Sequence, residues 1–298
     1  MDGRDRTERR SRVRACAVAG YFYPEDPTTV HESARALLDQ ALADHPLPGA
    51  LPASIDEDAA GAGLPETTGA APKAIVAPHA GWLYSGDLAA LAWSRFAPLK
   101  GTVRRVVLLG PTHRVPVRGA ALPDADVFDT PIGPLPVPVD EVLERCRGLR
   151  IPVSVNAATH RDEHALEVQA PFLRLVLGEV ELVPFNVGGA NASEVADLIE
   201  ALWDGDETVI AVSSDLSHYH PASEAHRIDA DTIGRILSLD GDVDHERACG
   251  ATPLAGLLEV CRRRGLRPEL LGAHHSGDVT GDASRVVGYA AFEIRESR

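Results

Sequence analysis

The sequence has few cysteines and no long apolar run, and each of these shortages excludes a class of protein. Its four cysteines are scattered with no C-x-x-C pair, so neither a disulfide framework nor a zinc finger is expected. No run of about 18 or more apolar residues occurs, so no membrane-spanning helix is expected. The charged N-terminus, MDGRDRTERRSRVR, is not followed by the apolar stretch of a secretory signal. We therefore expect a cytoplasmic protein with no membrane partner.

Basic residues are also scarce relative to acidic ones. The formal net charge is -15 at pH 7, with 29 Lys and Arg against 44 Asp and Glu. Such a chain repels nucleic-acid phosphates, so we expect no nucleic-acid partner. The excess of acidic residues is also explained by a solvated surface that has no specific binding role. With 44% hydrophobic residues over 298 positions, the chain can bury a sizeable core.

Short apolar runs alternate with helical patterns, which is typical of an α/β fold. The predicted strands cover residues 73–77, 105–109, 181–185, 208–212 and 286–294. The predicted helices cover residues 28–43, 87–96, 166–177 with a bend at Pro171, 192–203, 222–237 and 253–264. Continuous apolar strands of this kind predict a mostly parallel or mixed central sheet with helices on both faces.

The domain organisation follows from where this periodicity stops. We predict a single domain over residues 16–298, preceded by a flexible arm over residues 1–15. Residues 45–72 are rich in Pro, Ala and Gly and almost aperiodic, so they are predicted to be a loop insert. Residues 116–137 are predicted to form a hairpin-like excursion off the main sheet.

Three of the predicted strands end in polar clusters that contain histidine. KAIVA runs into PHAGW with His79, RVVLL into GPTHR with His113, and TVIAV into SSDLSHYH with Asp215 and His218. Because the carboxyl ends of parallel strands share one edge of a sheet, we expect these clusters to converge. One histidine at a strand end is more often a core hydrogen-bonding group than a ligand, but three at a shared edge favour a metal site.

Asp215 and His218 are predicted to act beside the metal, as an orienting carboxylate and a general base. Their i, i+3 spacing would put them on one face of a helical turn. In the alternative, Asp215 caps a helix and His218 packs near it. His164 opens a predicted helix with Asp162 as its candidate cap, and is either a capping-turn residue or a neighbour of the metal ligands.

The run LLGAHHSGDVTGD adds weaker candidates for the same edge of the sheet. His274 and His275 end its apolar part, and Ser276, which follows them, is predicted to be a pocket residue.

Eight motifs in order resemble those of the Memo family, whose bacterial and archaeal members are often called AmmeMemoRadiSam system protein B. The resemblance extends over residues 18–293 and leaves out the N-terminal arm and the 45–72 insert. The motifs are AVAGYFYPEDP, APHAGWLYSG, LLGPTHR, DEHALEVQAPFL, LVPFNVGG, AVSSDLSHY, CGATPL and SGDVTGDASRVVGYAAFE.

The Memo fold is similar to that of the class III extradiol, or LigB-type, ring-cleavage dioxygenases. Those enzymes hold non-haem Fe(II) with two His and one Glu, and use a further His as an acid/base. By this resemblance His79 and His113 match the two His ligands, and His218 matches the acid/base. Cys249 lies where the carboxylate ligand would be, as in other Memo proteins. A thiolate there shifts the preference toward Zn, Cu(I) or thiolate-bound iron.

The sequence around Cys249 supports its role as a ligand. Small residues follow it, and Thr252-Pro253 looks like the start of a helix, so we expect a lowered pKa and a thiolate. A buried, inert cysteine is the alternative. The other cysteines read as small core or surface residues: Cys16, Cys146 and Cys261.

The resemblance implies a metal-dependent, dioxygenase-like oxidoreductase that uses Fe, Cu or Zn on a small molecule. One alternative is a non-catalytic metal- or ligand-binding protein. The family name implies partners for it, a radical-SAM protein and an AMMECR-type protein. A weaker alternative is a metal-dependent hydrolase.

A first prediction concerns the insert at residues 45–72. Replacing most of it with a short Gly/Ser bridge should leave the melting temperature nearly unchanged, because its composition offers almost no apolar face to bury. A thermal unfolding scan of the deletion variant beside the full chain measures this, and failure of the shortened chain to fold would contradict it.

Overall fold

The structure, a computed structural model, describes residues 12–47 and 71–296. Within these ranges the strands are β1 (Val13–Arg14), β2 (Ala74–Ala77), β3 (Arg105–Gly110), β4 (Gly119–Leu122), β5 (Val127–Phe128), β6 (Leu135–Pro136), β7 (Val153–Val155), β8 (Glu181–Gly188), β9 (Thr208–Ser213), β10 (His218–His220), β11 (Leu266–His275) and β12 (Val286–Glu296). The α-helices there are α1 (Pro27–Asp44), α2 (Trp82–Ser94), α3 (Val139–Arg145), α4 (Ala157–Arg161), α5 (Ala170–Leu177), α6 (Ala192–Leu202), α7 (Ala222–Leu237), α8 (Ala251–Arg264) and α9 (Ser276–Thr280).

The central sheet is mixed, with a parallel middle. Its strands follow the order β10–β12–β2–β9–β3–β8–β4–β7, and β11 also pairs with β12. Strands β2, β9, β3 and β8 are mutually parallel, whereas β12 and β4 run antiparallel to their neighbours in this group. The α/β fold with a mixed sheet is therefore confirmed, and the three strands that carry the polar clusters are adjacent.

Helices cover both faces of the sheet. Every residue of β2 and β9 is buried, and because successive side chains of a strand point to opposite faces, both faces must be covered. Helix α2 packs on β2 and β12 with α1 and α5 behind it, while α8 packs on β8 and β9 with α6 behind it. No helix in the described ranges is long and apolar enough to span a lipid bilayer.

Two helix starts show how local sequence sets the boundaries. The N-cap of α1 is Asp26, whose carboxylate accepts the backbone N–H of Thr29. A 3₁₀ turn over Glu167–Gln169 precedes α5, and Pro171 lies in the first turn of that helix, where a missing amide hydrogen is tolerated. The predicted helix over residues 166–177 therefore consists of a 3₁₀ turn followed by an α-helix that begins at Ala170, just before Pro171.

Residues 116–137 do not form a simple excursion off the sheet. Their first part, β4, is a member of the main sheet antiparallel to β8, and only β5 and β6 lie apart, in a small sheet with β1. Strand β11 was also absent from the sequence prediction. Pro268 and a register shift at Gly272 interrupt its pattern, and both weaken a strand signal.

A buried ion pair fixes the N-terminal segment to the domain. Arg14 pairs with Glu167, and its guanidinium also donates to the carbonyls of His160 and Glu163. The Glu167 carboxylate further accepts the N–H groups of residues 17 and 18 and the Tyr23 hydroxyl. Residues 13 and 14 of the predicted arm are therefore held to the domain by the pairing of β1 with β5 and by the buried Arg14. Residues 1–11 of that arm, and most of the 45–72 insert, lie outside the described ranges.

Arg14→Met should lower the free energy of unfolding by about 3–5 kcal/mol, because it leaves the buried Glu167 carboxylate without its cation. Arg12→Met is the matched control. Arg12 pairs with Asp124 and Asp126 at the surface, where loss of an ion pair changes stability by about 0–1 kcal/mol. Urea unfolding of both variants gives the comparison, and equal effects would show that the Arg14 pair contributes no more than a surface pair.

Candidate metal centre

The ends of β2 and β3 and the turn before α8 bring three candidate ligands together. The Nε2 atom of His79 lies 3.2 Å from the Sγ atom of Cys249, and the His79 and His113 ring centroids are 5.3 Å apart. One ligand atom from each of the three residues lies within 4.8 Å of the others. Bonds of 2.0–2.3 Å in a tetrahedral site separate ligand atoms by roughly 3.3–3.8 Å. The spacing and the N/S donor chemistry therefore fit a transition metal.

Gly250 allows Cys249 to approach the end of β9. A Cβ atom at position 250 would lie 2.6 Å from the Cβ of Ser214 and 2.7 Å from the carbonyl oxygen of Ser213. The Gly250 N–H donates to the Ser214 hydroxyl at 3.0 Å, and the Asp215 N–H donates to Cys249 Sγ at 3.3 Å. The turn before α8 is thus bonded directly to the segment after β9.

Glu163 orients His113. The Oε2 atom of Glu163 accepts the His113 backbone N–H at 2.6 Å, and Oε1 lies 2.8 Å from His113 Nδ1. Burial alone would raise the pKa of Glu163, but hydrogen bonds from His113 and His164 outweigh it and hold that pKa far below its ordinary value. Since a carboxylate only accepts, His113 Nδ1 carries a proton, and in the neutral ring Nε2 has the lone pair.

His164 completes a cluster of three imidazoles. Its ring centroid is 4.6 Å from that of His113 and 5.3 Å from that of His79, and Phe22 stacks against it at 4.6 Å. His164 therefore lies beside the candidate ligands, which is one of its two predicted positions. The predicted cap Asp162 is wrong, because that residue follows the end of α4 and pairs with Arg161 at the surface.

Burial sets the protonation of His79 and Cys249. It lowers the pKa of His79 well below the ordinary value, and positive charge on His164 and His113 would lower it further. Neutral imidazole is the form that binds metals. Burial and the nearby Asp215 raise the pKa of the Cys249 thiol, so the lowered pKa expected from a helix start is wrong. A bound cation would favour the thiolate.

Asp215 and His218 are not on one helical turn. The segment between β9 and β10 has no helix, so neither the shared face nor the helix-cap alternative for Asp215 holds. The Oδ1 atom of Asp215 instead accepts the His79 backbone N–H at 2.7 Å. His218 Nδ1 lies 2.8 Å from the Leu216 carbonyl oxygen, which only accepts, so Nδ1 carries a proton and in the neutral ring Nε2 has the lone pair.

Burial raises the pKa of Asp215, whereas the His79 amide and the charge of a protonated His218 act in the opposite direction. Asp215 therefore positions the backbone of the candidate ligand His79. The acid/base role of His218 stays a prediction.

The candidates from the LLGAHHSGDVTGD run serve the fold next to the site. Ser276 begins α9, and its hydroxyl accepts the Val287 N–H at 3.0 Å. His274 lies 3.0 Å from Asp87 of α2, and His275 caps α9. None of the three belongs to the ligand groups found among the described residues.

Sequence reasoning missed Glu163, Gln169 and Ser213. The first two lie in the same motif as His164, and Ser213 opens the cluster that contains Asp215. A signal was present for Glu163, since an acid within an apolar motif must find hydrogen-bond donors if it is buried. The partners of Gln169 and Ser213 depend on tertiary contacts.

Comparison with known proteins establishes the family of the chain. The sequence profile described as Memo-like protein matches residues 14–293. The chain belongs to the Memo family. A MEMO1 family protein of Desulfurococcus amylolyticus is 32% identical, with 94% of this chain and 98% of that protein covered. One from Methanopyrus kandleri is 33% identical over 95% of this chain and 99% of that protein.

The alignment with a solved structure of an uncharacterized protein from Escherichia coli K12 covers 74% of this chain and 98% of that protein's chain. The TM-score is 0.49 and the sequence identity 13%, a likeness too low to carry an argument.

The depressed pKa of Glu163 predicts a pH dependence of stability. A carboxyl group whose pKa is lower in the folded state contributes fully above its unfolded pKa, and the contribution is lost as pH falls. Between about pH 5 and pH 3, stability should therefore fall more steeply in the wild type than in Glu163→Gln.

Urea unfolding of chelator-treated protein at a series of pH values measures how the free energy of unfolding changes with pH. Because the buried histidines titrate in both proteins, their contribution cancels in the difference between wild type and Glu163→Gln. Glu207→Gln removes an exposed ion pair with Arg104 and should keep the wild-type slope. Parallel curves for wild type and Glu163→Gln would contradict the role of this carboxylate.

Proposed function

We propose that His79, His113 and Cys249 hold a transition metal and that this Memo-family protein is a metal-dependent oxidoreductase acting on a small molecule. The observation that carries the proposal is the approach of three ligand atoms, from three separate segments, to within 4.8 Å of one another. Chance proximity at the surface does not account for it, since His79 is buried and hydrogen-bonded on its other ring nitrogen.

The donor set narrows the choice of metal. Two imidazoles and a thiolate favour Fe, Cu or Zn over Mg or Ca, which prefer oxygen ligands. Three protein ligands leave at least one coordination position for a substrate or dioxygen. A bound metal would supply Lewis acidity, and with Fe or Cu also electron transfer, at that position.

The protein's own groups supply proton transfer and positioning. In the neutral ring the Nε2 atom of His218 has a lone pair, because Nδ1 donates to the Leu216 carbonyl, so neutral His218 can accept a proton from a substrate hydroxyl. Asp215 holds the backbone of His79 and keeps a negative charge close to the site when ionised. Glu163 fixes the ring of His113, as carboxylate partners of metal-bound histidines do.

Among the described residues all four cysteines are unpaired, in keeping with the reducing cytosol that we propose as its location. A non-catalytic role with radical-SAM and AMMECR-type partners rests on the family resemblance alone. Oxygen uptake in the presence of catechols separates the two functions, since a binding protein would hold metal without consuming dioxygen.

Cys249→Ser should weaken metal binding by more than roughly 100-fold, a larger loss than the 10- to 100-fold typical of partners that only orient a ligand. The change is nearly isosteric, so the fold should persist. Cys261→Ser is the matched control, because Cys261 is buried in α8 and belongs to no ligand group of the described residues.

Elemental analysis of protein purified without chelators or affinity metals, followed by chelator competition, measures both variants. Retention of the full metal complement by Cys249→Ser would remove Cys249 from the ligand set. Absence of a stoichiometric transition metal from the wild type, even after reconstitution, would overturn the proposed metal centre.

A further inference from the structure

A chain of buried hydrogen bonds leads from Trp93 to the ring of His79. The Trp93 indole N–H lies 2.7 Å from Gln169 Oε1, and Gln169 Nε2 lies 2.7 Å from the Pro78 carbonyl oxygen and 3.1 Å from Ser213 Oγ. Ser213 Oγ in turn lies 2.6 Å from the Ala165 carbonyl oxygen and 2.9 Å from His79 Nδ1. Trp93, Gln169, Ser213 and His79 are all inaccessible to solvent or nearly so, so water does not compete for these bonds.

The orientation of the Gln169 amide is determined by its partners. An indole N–H can only donate, so the atom facing Trp93 must be the amide oxygen. A carbonyl oxygen can only accept, so the atom facing Pro78 must be the amide nitrogen. Both constraints agree, and they leave the second amide hydrogen of Gln169 directed to Ser213.

The same reasoning settles the proton of Ser213. Its hydroxyl has one hydrogen, and the Ala165 carbonyl at 2.6 Å must receive it, because two oxygens that close without a hydrogen between them would repel. Ser213 Oγ therefore accepts from its two other neighbours. One of these is Gln169, and the other is His79, whose Nδ1 must carry the proton.

We propose that Ser213 is the positioning residue that fixes His79 as the Nδ1–H tautomer, with Gln169 holding Ser213 in place. The Nε2 lone pair of His79 then faces Cys249 Sγ, at 3.2 Å, and is available to a metal. The expected effect on metal affinity rests on the proposed function. The tautomer of His79 does not, because it is a property of the protein without metal.

His79 thus differs from the other two oriented histidines. His113 donates to the carboxylate of Glu163, and His218 donates to the carbonyl of Leu216, whereas the partner of His79 is a hydroxyl that could either donate or accept. The Ser213 hydroxyl must accept from His79, because its own hydrogen is donated to the Ala165 carbonyl and Gln169 already donates to its oxygen. This is why a neutral side chain can set the tautomer of a buried ligand.

The test uses Ser213→Ala in the full chain, with Ser213→Thr as the variant that restores the hydroxyl. Ser94→Ala is the control for loss of a buried hydroxyl, since the Ser94 hydroxyl bonds within α2 to the Leu91 carbonyl. Long-range ¹H–¹⁵N spectra of the imidazoles, recorded on chelator-stripped protein and assigned with a His79→Gln variant, report the tautomer of His79 directly. Competition with a chromophoric chelator measures the affinity for Zn²⁺.

We expect the Nδ1–H tautomer of His79 in wild type and in Ser94→Ala. In Ser213→Ala we expect the Nε2–H form to appear and Zn²⁺ affinity to fall about 10- to 100-fold, the range seen when a ligand loses its orienting partner. Ser213→Thr should recover both. If the added methyl group of Ser213→Thr prevents folding, the comparison of Ser213→Ala with Ser94→Ala still tests the inference.

Two outcomes would overturn the inference. One is an Nε2–H tautomer of His79 in the wild type, and the other is a Ser213→Ala variant that keeps both the wild-type tautomer and the wild-type affinity. A wild type that shows the expected tautomer but binds no Zn²⁺ or other transition metal would instead refute the proposed metal centre and leave the role of Ser213 in the tautomer standing.

Discussion

Parallel pairing of β9 between β2 and β3 is the constraint on which the site depends. It places the residues that follow these strands at one edge of the sheet: His79 after β2, His113 after β3, and Asp215 after β9. The other contributions attach to this edge. Cys249 reaches this edge because Gly250 lies against the end of β9. The segment that contains Glu163 and His164 also lies at this edge, where it is hydrogen-bonded to Ser213 of β9 and to His113 after β3.

Burial makes the hydrogen bonds of this edge decisive. The buried side chains His79, Glu163 and Glu167 must find partners inside the protein, because an unpaired buried polar group costs about 1–3 kcal/mol. Glu163 and Glu167 meet this requirement with donors from several segments, including backbone amides and a guanidinium or imidazole. The same bonds that stabilise the fold therefore also select the tautomers of the histidines.

The features that depend on local sequence patterns could be predicted, whereas those that depend on contacts between distant residues could not. The buried strands β2, β3 and β9 are continuous apolar runs, and their polar ends located His79, His113 and Asp215. Strand β11 was missed because Pro268 and Gly272 break its pattern. The place of Cys249 came partly from a family resemblance, and its raised pKa depends on burial that no local pattern reveals. The contacts of Ser213 with His79 and Ala165 join residues 134 and 48 positions apart in sequence, so only the folded chain shows them.

The pairing of β2 has a consequence for biosynthesis. Its neighbours in the sheet are β9 and β12, which both come much later in the sequence, so the strand that leads to His79 cannot complete its pairing until those segments have been synthesised. Cys249 also emerges late. A nascent chain can therefore present both histidines before the thiol exists, and the candidate site is assembled only when segments far apart in the sequence have been synthesised and have paired.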